Sequence, residues 1–206
     1  MSELKELFES LRGWLEVLFP LAVFLVLFLA RYVTQFFKAG RLRDLAPFLN
    51  GEVVLRPFSP PRIQGTYMGM PYQLSFVSES RNMPGRLVVK LGFPFPFAME
   101  IQPKDRFQGI ARILRGSASS YETGDEVFDS LLSVRLSRAR ESAEVYLDNI
   151  ENRRNLLNAF QEGFVSASFG SSGILLVRQG NFLATGLAPE QALRDLATAG
   201  RLAQRV

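Results

Sequence analysis

Nine residues from Tyr121 to Asp129, YETGDEVFD, hold four carboxylates: Glu122, Asp125, Glu126 and Asp129. Acids at such spacing could ligate magnesium or calcium, with Asp125 and Asp129 as the candidate ligands of a carboxylate- and metal-dependent enzyme. The segment matches no EF-hand pattern, and no phosphate-binding glycine loop accompanies it. Acids in a polar loop usually cap helices and close turns, and that reading is favoured here.

The rest of the chain narrows the chemistry further. It contains no His and no Cys, so imidazole bases, Ser-His-Asp triads, thiolate nucleophiles, disulfides and His- or Cys-bound zinc are excluded. Gly65 and Gly69 in QGTYMGM do not form a G-x-G-x-x-G fingerprint and fall within strand-like sequence, where they mark a bulge or tight corner. No catalytic residue, metal ligand or cofactor is assigned. Binding candidates remain. An extended GFPFPF segment presents Phe93, Phe95 and Phe97 on one side, where they could dock a partner, although 18 Phe in so small a domain must mostly fill its core.

Lys and Arg number 24 against 20 acidic residues, a mild excess with no block of five or six like charges, so nucleic acid is not an expected partner. The basic residues nearest the apolar segment and on a basic helix further on, Arg31, Lys38, Arg41, Arg43, Lys104, Arg106, Arg112 and Arg115, are candidates for contact with anionic lipid headgroups.

The elements that would position these residues begin with an anchor. Val17 to Ala30 is uncharged and almost wholly Leu, Phe, Val and Ala. Arg31 can snorkel, which lets Tyr32, Val33, Phe36 and Phe37 extend the run to roughly 21 residues, about 31 Å of helix. A transmembrane helix is expected over residues 14–37, with Trp14 and Tyr32 as interfacial aromatics. An acidic start without a small-x-small cleavage site argues against a removed signal peptide.

Leu4, Leu7, Phe8, Leu11 and Trp14 recur on one helix face, so residues 1–13 are expected as an amphipathic pre-anchor helix, lying on the membrane or contacting a partner within it. The basic collar after the span places the C-terminal domain in the cytoplasm of a bacterial cell, the span in the inner membrane and the amino terminus outside.

Residues 38–50 read as a basic linker and 51–206 as a soluble α+β domain, an antiparallel sheet with helices segregated toward the C-terminal half. GEVVLRPF, RIQGTYMG and PYQLSFVS suggest a three-strand meander, RLVVKLG and FAMEIQP a strand pair, SLLSVRLS a further strand, and FVSASFG with GILLVRQ a hairpin. Helices are expected over 106–115, about 138–147 and from near Asn149 to Gly163, the start near Asn149 marked by an Asp148/Glu151 capping box. The last of these would present Ile150, Leu156, Leu157 and Phe160. A closing helix spans Leu187–Ala203, with Leu193, Leu196, Ala197 and Gly200 on one stripe.

The order of these segments resembles an uncharacterised bacterial family of membrane-anchored proteins, domains of unknown function. Its motifs are a G-x-Y-x-G strand (Gly65, Tyr67, Gly69), a T-G-D-x-x-F-D segment (Thr123, Gly124, Asp125, Phe128, Asp129) and a helix carrying Tyr146, Leu147, Leu156 and Leu157. The likeness covers most of Gly51–Val177, and family members usually carry more membrane segments. It implies a membrane setting, and no activity is carried over because none is established for the family. The expectation is a non-enzymatic single-span protein whose domain binds or braces other proteins of a membrane complex, with a carboxylate enzyme or an anionic-lipid module as the alternatives.

Overall fold

In a computed structural model of the chain, helix α1 (Ser2–Leu45) runs unbroken for 44 residues, about 66 Å, with Pro20 inside it. The structure describes residues 2–56, 59–77, 84–104, 121–180, 182 and 186–204; within α1 it describes the side chains at 18–30, 33, 35, 36 and from 39 onward. The expected helix over 106–115 lies outside the described residues.

A single 3-10 turn, Ala46–Leu49, follows α1 and ends at Asn50, whose left-handed backbone (φ 49°) redirects the chain into the sheet. The strands are β1 (Gly51–Arg56), β2 (Ser59–Tyr67), β3 (Met70–Val77), β4 (Arg86–Leu91), β5 (Ala98–Pro103), β6 (Leu132–Arg138), β7 (Phe164–Gly170) and β8 (Gly173–Gln179). Between and after them lie α2 (Glu126–Leu131), α3 (Arg140–Asp148), α4 (Ile150–Gln161) and α5 (Pro189–Ala203). The fold is α+β, as expected, with one eight-stranded antiparallel sheet in the order β1-β2-β3-β4-β8-β7-β5-β6.

Strand alternation separates the two faces of this sheet. The register aligns Ile63, Leu74, Val89, Leu176, Ala167, Ile101 and Val134 across seven strands, all buried. One residue along, Gln64, Gln73, Lys90, Leu175, Ser168, Glu100 and Arg135 form the parallel row, none of them buried. Side chains alternate across a pleated sheet, so one face is apolar and carries the helices while the other is polar and bears none of the buried cluster.

The meander β1–β3 forms as expected. Its second turn is a two-residue loop in which Met68 (φ 51°) and Gly69 (φ 78°) both take left-handed backbone, the geometry that matches strand twist. Gly65 marks neither bulge nor corner. A side chain there would strike the ring of Tyr72, which lies over it from β3 and sends its hydroxyl to the Leu49 carbonyl at 2.8 Å.

The expected pairing of RLVVKLG with FAMEIQP is corrected: β4 pairs with β3 and β8, while β5 pairs with β6 and β7. The β7–β8 hairpin has inserted between them, and Gly173 approaches Leu91 so closely that no side chain would fit. Helix α4 is capped by Asn149, whose side chain accepts from the Glu151 amide at 2.9 Å, one residue beyond the expected box. On α4 Leu156 is buried and Ile150 is exposed. On α5 the buried stripe is Ala192, Asp195, Leu196, Ala199, Leu202 and Ala203, with Leu193 outside it.

The linker expected over residues 38–50 is also corrected. Residues through Leu45 belong to α1, and Ala39, Leu42, Leu45, Ala46 and Leu49 are buried, the last four within the core cluster. An apolar spacing of three and four residues makes this stretch a docked helix end. It runs along the apolar face: Arg41 lies near Phe76, at the sheet end carrying Val77, Arg86 and Gln179, and Leu49 lies at Tyr72, toward the opposite end.

Among the described residues no helix is long and apolar enough to cross a membrane, so the fold alone does not support the single span expected over residues 14–37. Every described side chain from Leu18 to Ala30 is exposed, Phe24 by 68% and Leu27 by 64%.

Candidate functional site

Helix α2 starts where Asp125 caps it, accepting from the Phe128 amide at 3.1 Å. Asp129, one turn on, reaches back: its Oδ1 accepts from the Thr123 amide and hydroxyl, both at 3.0 Å, and its Oδ2 from the Gly124 amide at 2.9 Å. The second Asp125 oxygen takes Nε of Arg153 at 3.1 Å. Arg153 also donates to the Leu147 carbonyl at 2.7 Å and the Asp148 carbonyl at 3.1 Å, so it ties the end of α3 and the start of α4 to the head of α2. The Phe128 amide first, then Arg153, hold the Asp125 carboxyl below the ordinary carboxylate range.

The T-G-D-x-x-F-D segment is therefore a hydrogen-bonded corner over the buried Phe128 ring. Each Asp125 and Asp129 oxygen already accepts from an N–H or O–H donor, and the nearest cation is a guanidinium, surroundings that disfavour a metal ion. Among the described residues no cluster of three or more acids could hold one.

The three Phe of GFPFPF are not an exposed contact. Phe95 and Phe97 are buried and Phe93 packs against the core. Phe95 and Phe97 meet Tyr146 and Phe169 with ring centroids 5.0 to 6.3 Å apart. The segment arches over the β7–β8 hairpin, and the Phe95 amide donates to the Gly170 carbonyl at 3.1 Å, which turns alternate rings inward. Tyr146 sends its hydroxyl to the Leu202 carbonyl at 2.9 Å, and burial pushes its pKa up.

Of the basic candidates, Arg41, Arg43 and Lys104 are exposed, and Arg43 stands over the Phe36 ring at 5.6 Å. Arg106, Arg112 and Arg115 lie outside the described residues. Leu4, Leu7, Phe8, Leu11, Trp14, Arg31 and Lys38 lie outside the described side chains.

Two features escaped the sequence reading. The first is a buried ion pair. Arg178 on β8 donates to Asp195 on α5 through Nε at 3.1 Å and Nη2 at 2.6 Å, and through Nη1 to the Glu162 carbonyl. It also stacks 4.4 Å over the Phe164 ring, and Gln191 donates to Asp195 at 2.8 Å. Burial pushes the Asp195 carboxyl up, opposed by its bonds to Arg178. Two-residue alternation through Ile174, Leu176 and Arg178 was the available signal for an inward arginine.

The second is a cleft of about 210 Å³ between the docked end of α1 and the start of α5, lined by Leu45, Phe48, Phe76, Leu187 and Pro189 with Arg41 and Asp44. It exists only because residues 39–49 pack on the sheet.

No family model, curated protein or solved structure matches the chain.

Proposed function

We propose that the protein is a non-enzymatic single-span membrane protein whose α+β domain binds and braces other proteins, as an accessory or assembly subunit of a larger membrane complex. One observation carries the reading: α1 passes without a break from exposed Leu, Phe and Val side chains into the core of the domain. Exposed apolar rows this long are unfavourable in water, by about 25 cal/mol for each Å² of apolar surface. The sequence extends the row from Val17 through Phe37, enough for a bilayer. An enzyme held at a membrane needs only a tether. A helix packed into the sheet instead fixes the domain's height and orientation, which suits a part that must meet neighbours at one geometry.

The carboxylate-enzyme alternative gains nothing from Asp125 and Asp129, whose oxygens are engaged in holding α2, α3 and α4 together. The excess of Arg and Lys after the apolar run favours a cytoplasmic domain and an external amino terminus in a bacterial inner membrane.

The test is co-purification in mild detergent from native membranes. The intact chain is compared with one whose residues 1–37 are replaced by an unrelated single-span anchor of the same orientation. Partners recovered with the intact chain and diminished with the replacement are expected. Equal recovery from both, or none from either, would contradict the bracing role. Alkaline phosphatase fused after Val206 is expected to stay inactive, and activity would reverse the orientation.

A further inference from the structure

The open sheet has two edges, β1 and β6, and they are finished differently. At β6 the Tyr121 amide donates to the Val134 carbonyl at 2.8 Å, and the Arg140 guanidinium stands 5.7 Å from the centre of the Tyr121 ring, so part of that edge is covered. At β1 no described residue bonds to the outer side of the strand.

Hairpin geometry fixes which groups of β1 point outward. Tyr67 and Met70 close a two-residue turn and so form a hydrogen-bonded pair, which makes Gly65 and Ile63 the residues of β2 that bond toward β3. Gln64 and Arg62 therefore bond toward β1, to Glu52 and Val54. The amides and carbonyls of Gly51, Val53 and Leu55 are left directed away from the sheet, a row that templates another strand. The register shift at this end does not disturb them, because the pairs Val54 with Arg62 and Arg56 with Ser59 place the extra residue on β2. Along β1, Glu52, Val54 and Arg56 share the polar face of the sheet, and Val53 shares the face that carries the helices. Glu52 and Arg56 are exposed and make no hydrogen bond or ion pair among the described residues, and Leu55 is 48% exposed.

We propose that β1 accepts an extended segment of a different protein as a ninth, antiparallel strand, in which the residues facing Arg56, Val54 and Glu52 are in turn acidic, apolar and basic. Opposite charges across a strand pair stabilise it and like charges destabilise it, so the order of charges sets the direction of the incoming chain. β1 itself reads Glu-Val-Val-Leu-Arg, and a second copy would satisfy the same charges. It fails on direction. Two antiparallel β1 strands are related by a two-fold axis normal to the sheet, and the docked end of α1 lies along the sheet, so the two copies would send their apolar runs opposite ways. Both runs could not cross one bilayer in the same sense. The occupant is therefore another chain, and the proposal rests on the reading of the protein as a membrane-anchored binder of other proteins.

The experiment uses the full chain in detergent micelles and two end-blocked, fluorescein-labelled peptides of one composition, Thr-Glu-Thr-Val-Thr-Arg-Thr and its reversal Thr-Arg-Thr-Val-Thr-Glu-Thr, titrated by fluorescence anisotropy. The first is expected to bind roughly tenfold more tightly than the second. Exchanging the charges, Glu52→Arg together with Arg56→Glu, is expected to reverse that order, and unchanged thermal unfolding of this exposed pair of substitutions shows an intact fold. Val53→Pro removes an outward N–H and no ladder bond to β2, and is expected to abolish binding of both peptides. Equal binding of the two, binding of neither, tighter binding of the second, or an order unmoved by the exchange overturns the proposal. A two-chain mass in native mass spectrometry that Val53→Pro reduces to one chain assigns the edge to a second copy and overturns it as well. Co-purification from native membranes separates this claim from the proposed function. Partners recovered undiminished with Val53→Pro refute the edge alone, whereas ordered peptide binding with no partners recovered by any form of the chain refutes the complex-subunit reading alone.

Discussion

Leu27 and Leu42 sit on the same helix, fifteen residues apart, and meet opposite surroundings: Leu27 is 64% exposed and Leu42 is 0% exposed. From Leu18 to Ala30 every side chain is open, on all sides of the helix; from Ala39 to Leu45 only one face is apolar, and that face is buried. A helix apolar all round belongs inside something, whereas a helix with one apolar stripe belongs on a surface that covers the stripe. The domain supplies that cover for the second half and offers nothing to the first. On the proposed membrane-spanning reading the two halves of α1 meet two solvents, and the register of the helix on the sheet would transmit the position of one to the other.

Helix α5 lies beside the docked half and is pinned by Arg178 and Asp195, so the largest expected effect comes from removing the pin. Asp195→Ala should destabilise the domain by about 3–5 kcal/mol, because it leaves a buried guanidinium without its counter-charge, whereas a double replacement of Arg178 and Asp195 by Met and Leu should recover much of the loss. Denaturant unfolding of the chain in detergent measures both. A small loss in the single variant would show that water reaches the pair and that the wall behind α1 is looser than drawn.

The leucines themselves come next. Leu42→Ala should cost about 2–5 kcal/mol by the same measurement, as a buried large-to-small change does, while Leu27→Ala should fall within about 0.5 kcal/mol. Equal effects would erase the distinction between the two halves.

Membrane insertion is where the exposed half should respond instead. Val26→Arg puts a charge near the centre of the apolar run, at a cost of about 2.5–3.5 kcal/mol for insertion, and is expected to shift the chain out of the carbonate-resistant membrane fraction while leaving the domain folded. Continued membrane retention with the domain intact would argue for a helix lying along the surface.

The smallest effect is a control far from α1. Asp125→Ala should destabilise the domain slightly through the lost helix cap and leave α1 docked. Because the Asp125 pKa is lowered in the fold, its contribution is present above the unfolded value of about 3.9 and is lost as pH falls through the lower folded value. The wild-type melting temperature should therefore drop more steeply below about pH 4 than that of the variant. Parallel curves would remove Asp125 from the account.

Much of the sheet was legible because strand alternation and turn residues are local: the meander, the FVSASFG/GILLVRQ hairpin and the Asn149 region all sit close to their expected bounds. The pairing of β4 with β8 was not, since nothing in RLVVKLG distinguishes a sequential neighbour from a hairpin about eighty residues away. Residues 38–50 were misread because Arg41, Arg43 and Asp44 drew attention to charge, while the apolar stripe of Ala39, Leu42, Leu45 and Leu49 between them carried the structure. Asp195 was hidden for the converse reason, a charge on an otherwise apolar stripe whose partner lies on another element. The acids of YETGDEVFD could be seen as capping residues, but their tie to Arg153 on α4 required the fold.

The two-solvent account of α1 meets its most direct test in a spin-label scan of the full chain in liposomes. The natural absence of cysteine allows single labels at each position from 18 to 30 and at 41 and 43. Paramagnetic relaxation by oxygen, which partitions into lipid, is compared with relaxation by a water-soluble nickel chelate. The account predicts high oxygen and low nickel accessibility at every position from 18 to 30, deepest near the middle, with the order reversed at 41 and 43. A helical period in which alternate faces of 18–30 meet the nickel reagent, or uniform access by nickel, would contradict it.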